Sequence, residues 1–137
     1  MFKAVIAIII GIGFLVAAAW TAVLTNDFIH AATIVPGTVV KLNAGGSHPE
    51  IAFVTTAGER VSYAQGGWIW GMKVGDAVRV RYLPEAPSIT ARLDRIGATW
   101  ASTLFLLWMG VGFAGVGWMN WPSRDAHKPA SRRRHAE

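Results

Sequence analysis

Two uncharged apolar segments, one near each end of the chain, most constrain what it can fold into. Residues 4–24 and 98–119 contain no Asp, Glu, Lys or Arg. A helix over residues 98–119 would extend roughly 33 Å, about the thickness of the hydrocarbon core of a bilayer. A helix in a soluble core needs only one apolar stripe, whereas a helix surrounded by lipid is apolar on every side. The sequence therefore predicts two transmembrane helices.

The first apolar segment also fits a secretory signal peptide. Lys3 would supply the basic start, residues 4–16 the apolar region, and residues 17–19 (Ala-Ala-Ala) a cleavage site of the A-x-A type. The apolar character continues as far as Leu24, which is longer than a signal peptide requires. We therefore expect an uncleaved membrane anchor, with a cleaved signal peptide as the alternative.

The positions of the basic residues predict the orientation in the membrane. Lys3 flanks the first apolar segment, and a basic tail follows the second. The basic residues of the tail are Arg124, Lys128, Arg132, Arg133 and Arg134. Because flanking Lys and Arg stay on the cytoplasmic side, both termini are predicted to be cytoplasmic and the middle segment periplasmic. This orientation predicts a multi-pass protein of the bacterial inner membrane, whose tail is disordered and attracted to anionic lipid.

Small residues at intervals of four predict where the two helices touch. They are Gly13, Ala17 and Thr21 in the first segment and Gly110 and Ala114 in the second. Small residues at this spacing let helix backbones approach closely, so we expect the two helices to pair within one chain. The same faces also allow a homo-oligomer. Trp108 lies in the middle of the second segment, away from the headgroup layer that tryptophan prefers, and is expected to pack between the helices.

Residues 25–97 have the pattern of a small antiparallel β domain. Short β-branched or alternating runs are separated by Gly, Pro and Asp turn signals. The predicted strands cover residues 34–42, 49–56, 59–63, 77–83 and 88–94. Val78, Val80 and Tyr82 share one face of the fourth strand, with the Tyr82 hydroxyl expected to find a partner in the core, and Asp76 is expected to shape the preceding turn.

These patterns together define the predicted architecture. The fold class is an α+β membrane protein in which two transmembrane helices flank a small antiparallel β barrel or sandwich. The predicted parts are a first helix over residues 1–24, an extracytoplasmic β domain over 25–97, a second helix over 98–119 and a basic cytoplasmic tail over 120–137.

Residues 74–94 carry a resemblance to a known family. The pattern Val-Gly-Asp-x-Val-x-Val-x-Tyr-x-Pro-x-x-Pro over residues 74–87, followed by Ala-Arg-Leu at 91–93, resembles the bacterial membrane protein family catalogued as domain of unknown function 3592. The Pro-Gly-Thr-Val run at 36–39 and the strand–turn–strand region 49–63 are also similar to that family. The resemblance implies an integral membrane protein with an extramembranous β domain, and it implies no activity. The aromatic segment 64–72 departs from the family pattern.

The composition excludes several kinds of chemistry. The chain has no cysteine, so it can form no disulfide, thiolate metal site or cysteine nucleophile. Its four histidines are not spaced three or four residues apart, as a metal site on one helix would require. The apolar segments contain no ionisable residue that an ion pathway could use. We therefore predict no cofactor, no metal and no enzymatic activity.

The charge pattern does not favour nucleic acid as a partner. Residues 25–97 contain seven Lys or Arg against six Asp or Glu and are close to neutral, so most of the net charge of +5 comes from the tail. No aromatic or groove-reading element accompanies that tail. The predicted partners are therefore the lipid bilayer and an unidentified protein.

Trp68, Ile69 and Trp70 are the candidate contact residues. On an extended segment the two tryptophans would share one face. One interpretation is that they cap the small core or rest on the bilayer surface; the other is that they form a hot spot for a partner protein. The predicted function is a non-enzymatic interaction or accessory protein of the inner membrane, in one version an immunity protein against a toxin. The alternatives are a structural subunit of a larger membrane complex and a membrane enzyme that shares its site with a partner.

Overall fold

The computed structural model describes residues 2–43 and 48–121. Two long helices enclose, in chain order, a five-stranded sheet and two single helical turns. The elements are α1 (Phe2–Ala31), β1 (Thr33–Asn43), β2 (His48–Val54), β3 (Arg60–Ala64), β4 (Ala77–Tyr82), α2 (Pro87–Thr90), β5 (Arg92–Leu93), α3 (Ile96–Thr99) and α4 (Ala101–Met119). The predicted basic tail, with Arg124, Lys128, Arg132, Arg133 and Arg134, lies outside the described residues, as does the turn over residues 44–47.

The helices α1 and α4 form an antiparallel pair. The start of α1 lies against the end of α4, where Gly117 approaches the backbone oxygen of Ala4. At the other end, the Thr103 hydroxyl donates a hydrogen bond of 3.1 Å to the Thr21 hydroxyl. Both helices are long and apolar enough to cross a membrane. Pairing within one chain therefore agrees with the sequence prediction.

The contact between the helices depends on small residues at intervals of seven. The buried residues are Ala4, Gly11 and Ala18 on α1 and Thr103, Gly110 and Gly117 on α4. A Cβ atom on Gly11 would lie 2.5 Å from the backbone nitrogen of Ala114, so no larger residue fits there without moving the helices apart. Seven residues make nearly two full helical turns, which keeps these positions on one face.

Two predictions about this helix pair are wrong. A Cβ atom on Gly13 would meet nothing within 4 Å, so Gly13 lies outside the contact and Gly11 takes its place. Trp108 is 71% exposed and lies on the outer surface instead of between the helices. The physical reason is that a contact built from Gly and Ala brings the backbones too close to admit an indole ring.

The helix α1 continues past Leu24, where the apolar segment ends, and joins the sheet directly. The Arg81 side chain donates a hydrogen bond of 3.2 Å to the backbone oxygen of Ile29 in the last turn of α1. The Arg92 guanidinium lies over the Phe28 ring, 5.4 Å from its centroid. Cationic donors at this end satisfy helix carbonyls that have no partner within the helix. Only Ala32 separates α1 from β1.

The five strands form one antiparallel sheet in the order β3-β2-β1-β4-β5. The sheet curls into a half-barrel, which agrees with the predicted antiparallel β domain. Its concave side holds an apolar core that Ile69 and Met72 complete from the loop before β4. The largest fully buried side chains are Tyr82, Ile51, Leu93, Val39, Val80 and Pro49.

A side chain links the two edge strands. The Gln65 side-chain oxygen, just after β3, accepts a hydrogen bond of 2.7 Å from the Leu93 backbone N–H in β5. The Tyr63 hydroxyl donates a second hydrogen bond of 3.2 Å to the same oxygen. The half-barrel is therefore closed at this point by one glutamine instead of by a ladder of backbone hydrogen bonds.

The prediction of a strand over residues 88–94 is wrong for most of its length. Pro87 begins the helical turn α2, and β5 contains only Arg92 and Leu93. The Thr90 hydroxyl stabilises this turn, because it accepts a hydrogen bond of 2.9 Å from the Leu83 N–H and donates one of 2.6 Å to the Ala86 oxygen. Proline at a first helical position is favourable, since its missing N–H is not needed there.

Two local predictions for β4 and the turn before it are confirmed. Tyr82 is buried, and its hydroxyl accepts a hydrogen bond of 2.9 Å from the Thr56 backbone N–H. The Asp76 carboxylate accepts one of 2.8 Å from the Lys73 N–H and so shapes the turn before β4.

Candidate functional site

The outer face of the sheet contains a row of four small side chains. Thr38 of β1 is the register partner of Ala52 on one side and of Ala77 on the other. Ala52 is in turn the partner of Ser62 in β3. The row Ala77–Thr38–Ala52–Ser62 thus crosses four strands on the face opposite the core. Because these side chains are small and in register, the surface of the sheet is depressed along the whole row.

Larger residues along one side of this row make it the floor of a trough. Its volume is about 620 Å³, and its lining also includes Pro36, Val54 and Arg60. Val54 is about half exposed, and Arg60 lies directly opposite it in β3. We call this surface, with its floor of Ala77, Thr38, Ala52 and Ser62, the sheet trough. A depression with a floor of small side chains and a polar rim is suited to a protruding side chain or segment of another molecule.

The charges around the sheet trough have a positive excess. Arg60 and Arg79 are exposed on one side, and Lys41 and Glu50 are register partners on the other. The Glu50 carboxylate also accepts a hydrogen bond of 2.9 Å from the Ser62 hydroxyl, which holds it at the edge of the floor. The rim therefore favours an acidic partner surface over a basic one.

An ion-pair cluster holds β4 to the segment after β5. Asp94 lies 2.6 Å from the Nε atom of Arg81 and 2.8 Å from an Nη atom of Arg79. The Arg81 and Asp94 side chains are only 19% and 13% exposed, whereas Arg79 is 73% exposed. Arg81 also contacts α1 through Ile29. This cluster positions the helix end against the sheet, and one carboxylate shared by two guanidinium groups leaves positive charge near the trough.

The predicted contact residues 68–70 do not all reach the surface. Trp68 and Trp70 are 46% and 71% exposed, so both indoles are accessible. Ile69 between them is 4% exposed and belongs to the core. The trio therefore presents two tryptophans that are fixed to the domain by a buried isoleucine.

The loop that carries the tryptophans is held against the start of α4. The Trp68 backbone N–H donates a hydrogen bond of 2.9 Å to the Gly97 oxygen. Gly67 has a φ of +96°, and a Cβ atom there would lie 2.5 Å from the same oxygen, so only glycine fits without strain. The Trp68 side chain borders a shallow depression with Ala101 and Phe105 of α4. Trp68 therefore lies beside the first turns of the apolar helix.

Two observations bear on the chemistry of the described residues. Residues 2–43 and 48–121 contain no group of three or more His, Cys, Asp or Glu side chains that could hold a metal ion. Burial raises the pKa of the Tyr63 hydroxyl well above its usual range, so this phenol stays protonated and acts as a hydrogen-bond donor to Gln65. The sheet trough and the two exposed tryptophans are surfaces suited to contact with another molecule.

Comparison with curated proteins identifies a relative. The chain is 40% identical over 124 residues to the immune protein Tsi4 of Pseudomonas aeruginosa, strain PAO1, and the alignment covers 90% of this chain and 86% of Tsi4. The chain belongs to the Tsi4 immune-protein family. No protein-family model matches the chain, so the resemblance to domain of unknown function 3592 stays a prediction. No solved structure matches it either.

The similarity to Tsi4 extends over nearly the whole chain and is not limited to one motif. The tryptophans stay a prediction as contact residues, and sequence reasoning did not point to the sheet trough. The signal for the trough is the row of small residues at Thr38, Ala52, Ser62 and Ala77, which becomes visible only when the strand register is known. Positions so far apart in the chain share no local pattern.

Proposed function

We propose that this protein is an immunity protein that neutralises a toxin by binding it, without any chemical step. The observation that carries this proposal is the 40% identity to the immune protein Tsi4 over 90% of the chain. The recognition surface on the sheet and the lack of a metal-binding cluster in the described ranges support it. Binding alone is sufficient for neutralisation when the partner's working surface is covered.

We further propose that α1 and α4 anchor the protein in the bacterial inner membrane, with both termini in the cytoplasm and the β domain in the periplasm. The outward faces of the two helices support this placement, since they carry large exposed apolar side chains. Examples are Ile9, Ile12, Val16, Trp108, Val111 and Val116. A contiguous apolar surface of this size is unfavourable in water and favourable in lipid. The positions of Lys3 and of the basic tail support the orientation.

The sheet trough is the proposed contact for the toxin. Arg60 on its rim, with Arg79 and Lys41 on neighbouring positions of the same face, favours an acidic surface on the toxin, and its small floor residues admit a protruding side chain. Thr38 and Ala52, at the middle of the floor, lie on β1 and β2 and are paired with a neighbouring strand on both sides, so this part of the surface is preformed before the toxin binds.

A growth assay tests the proposed function. Each gene that flanks the gene for this protein is expressed alone in a laboratory bacterium, once in the cytoplasm and once with a periplasmic signal sequence. We expect one product to arrest growth and coexpression of the full chain to restore it. The two proteins should then copurify in neutral detergent at a fixed stoichiometry. Growth arrest that the full chain fails to relieve would contradict the proposal.

Membrane fractionation of the full chain tests the anchoring separately from toxin binding. If the proposed anchoring holds, the full chain stays in the membrane fraction after alkaline carbonate washing. Recovery of the full chain in the soluble fraction would contradict the membrane placement without bearing on toxin binding.

A further inference from the structure

A cleft of about 210 Å³ opens between α1 and α4 at the end of the apolar zone. Its lining combines apolar side chains, such as Leu24 and Phe28 of α1, with polar ones. The polar side chains come from α1, β5, α3 and α4 and include Thr25, Arg92 and Ser102. The cleft therefore combines one guanidinium group with hydroxyl groups from facing elements. We call it the arginine–hydroxyl cleft.

The Arg92 guanidinium has charge available for a ligand. Among the described residues, the ion pairs join Asp94 to Arg79 and Arg81 and do not include Arg92. Arg92 is instead held over the Phe28 ring at 5.4 Å, an arrangement that fixes the guanidinium plane without neutralising its charge. Asp27 is exposed and is not among the side chains that line the cleft.

The hydroxyl groups complete a set of donors around this charge. Thr25 projects from α1, and Ser102 projects from α4 on the opposite wall. The Thr21 and Thr99 hydroxyls already donate their protons to the backbone oxygens of Ala18 and Arg95, so Thr25 and Ser102 are the hydroxyl donors that a ligand would use. Guanidinium and hydroxyl donors in one cleft match a phosphate group, whose oxygens accept several hydrogen bonds at once.

The position of the cleft along the helix axes indicates the source of such a phosphate. The apolar segment of α1 ends at Leu24, and α4 begins at Ala101, so the cleft lies at the boundary of the apolar zone. Trp68 lies near the same turns of α4, as expected for a side chain in the headgroup layer. If the helices span the bilayer as proposed above, the cleft faces the lipid headgroups of the outer leaflet.

We propose that the arginine–hydroxyl cleft binds the phosphate of an anionic phospholipid headgroup. The Arg92 guanidinium pairs with the phosphate, and the Thr25 and Ser102 hydroxyls donate hydrogen bonds to its remaining oxygens. Because Arg92 belongs to β5 and Thr25 to α1, a bound headgroup ties the β domain to the anchor at a defined height. This inference rests on the membrane placement under the proposed function.

Lipid retention by the full chain tests the proposal. The protein is reconstituted in phosphatidylcholine nanodiscs containing a minor fraction of phosphatidylglycerol, released into mild detergent and analysed by native mass spectrometry. We expect the wild type to retain phosphatidylglycerol and Arg92→Gln to retain at least fivefold less. Arg95→Gln removes the same charge from an exposed residue three positions away and should retain the wild-type amount. Arg92→Lys keeps the positive charge but lacks the planar guanidinium group, and it should retain an intermediate amount of phosphatidylglycerol.

Each alternative outcome has a distinct meaning. Equal retention by Arg92→Gln and Arg95→Gln, with both variants folded by circular dichroism, would overturn the cleft as a lipid site. Displacement of the lipid by millimolar inorganic phosphate would overturn the assignment to a headgroup in favour of free phosphate. Extraction of the wild type by alkaline carbonate would overturn the membrane placement and the lipid site with it. Normal membrane insertion with unchanged lipid retention in Arg92→Gln would overturn the site alone.

Discussion

The side-chain oxygen of Gln65 accepts a hydrogen bond of 2.7 Å from the Leu93 backbone N–H and thereby joins the two edge strands of the sheet. Leu93 is fully buried, so its N–H has no access to water as a substitute partner. An unsatisfied buried donor costs about 1–3 kcal/mol.

We therefore expect Gln65→Leu to lower the free energy of unfolding of the β domain by about 1–3 kcal/mol. Chemical denaturation of the full chain in mild detergent, followed by near-UV circular dichroism, measures the change. Ser62→Ala is the matched control, because it removes an exposed hydrogen bond to Glu50 and should change stability by less than about 0.5 kcal/mol. Equal effects of the two substitutions would show that Gln65 does not close the half-barrel.

The helix pair gives a second prediction. Gly11→Leu should separate α1 from α4, because its side chain would meet the Ala114 backbone, which cannot rotate away. Gly13→Leu should leave the pair intact, since Gly13 faces open space. The readout is cross-linking by a short bis-thiol reagent between Phe14→Cys and Phe113→Cys, whose parent rings stack with centroids 5.9 Å apart in a chain that has no cysteine of its own. Equal cross-linking in the two glycine variants would contradict the assigned interface.

The sheet trough gives a third prediction. Ala52→Trp places an indole on the trough floor and should weaken toxin binding at least 100-fold, which is about 2.7 kcal/mol. Its effect on the unfolding transition should be small, because the substituted side chain points away from the core. Binding is measured by titrating the partner identified in the growth assay against the protein in detergent.

Two controls accompany the trough substitution. Ile89→Trp adds an indole at an exposed position of α2, outside the trough, and should bind the toxin normally. Arg60→Glu should slow association most strongly at low salt, whereas Arg95→Glu, with the same change in charge away from the trough, should not. Normal binding by Ala52→Trp would place the toxin contact elsewhere, with Trp68 and Trp70 as the next surface to substitute.

The ion-pair cluster gives a fourth prediction. Asp94→Asn leaves Arg81 largely buried without its carboxylate and should destabilise the protein by about 2–3 kcal/mol, less than for a fully buried pair because both groups keep some exposure. Arg79→Met should cost less than about 1 kcal/mol, since Arg79 is mostly exposed. A double-mutant cycle between Arg81 and Asp94 isolates their coupling. Equal losses in Asp94→Asn and Arg79→Met would contradict the assigned roles.

Tyr63 gives a fifth prediction, on pH. Burial raises the pKa of its hydroxyl in the folded protein above the unfolded value of about 10. The folded state therefore holds its proton more tightly, so the contribution of Tyr63 is complete below pH 10 and is lost as the pH rises beyond it. We expect stability to fall above pH 10 in the wild type and to fall less steeply in Tyr63→Phe. Parallel pH profiles for the two proteins would contradict this assignment.

Local patterns in the sequence predicted much of the fold. The alternation of Val78, Val80 and Tyr82 with arginines identified β4 and its buried face, because neighbouring strand residues point to opposite sides of a sheet. The two uncharged segments identified the long helices, because a helix surrounded by lipid is apolar on every side. The prediction was wrong where a side chain overrode strand propensity, as Thr90 does by stabilising the turn α2.

The candidate site depends on relationships that a single sequence does not display. Thr38 and Ala77 share the trough floor although 39 positions separate them in the numbering, and only the register of β1 with β4 brings them together. Gly11 and Gly13 have equal local signals, and the partner helix alone decides which one is in contact. The tryptophans could be found early because two large aromatic side chains in a short segment are informative without any tertiary contact.

Only Ala32 stands between α1 and β1, and only Trp100 between α3 and α4. These short connections leave little slack in the chain between the helices and the domain. Insertion of one residue beside Ala32 would turn the sheet by roughly 100° about the α1 axis, since each helical residue advances by that angle. A binding partner therefore meets the sheet in the orientation that these short connections set.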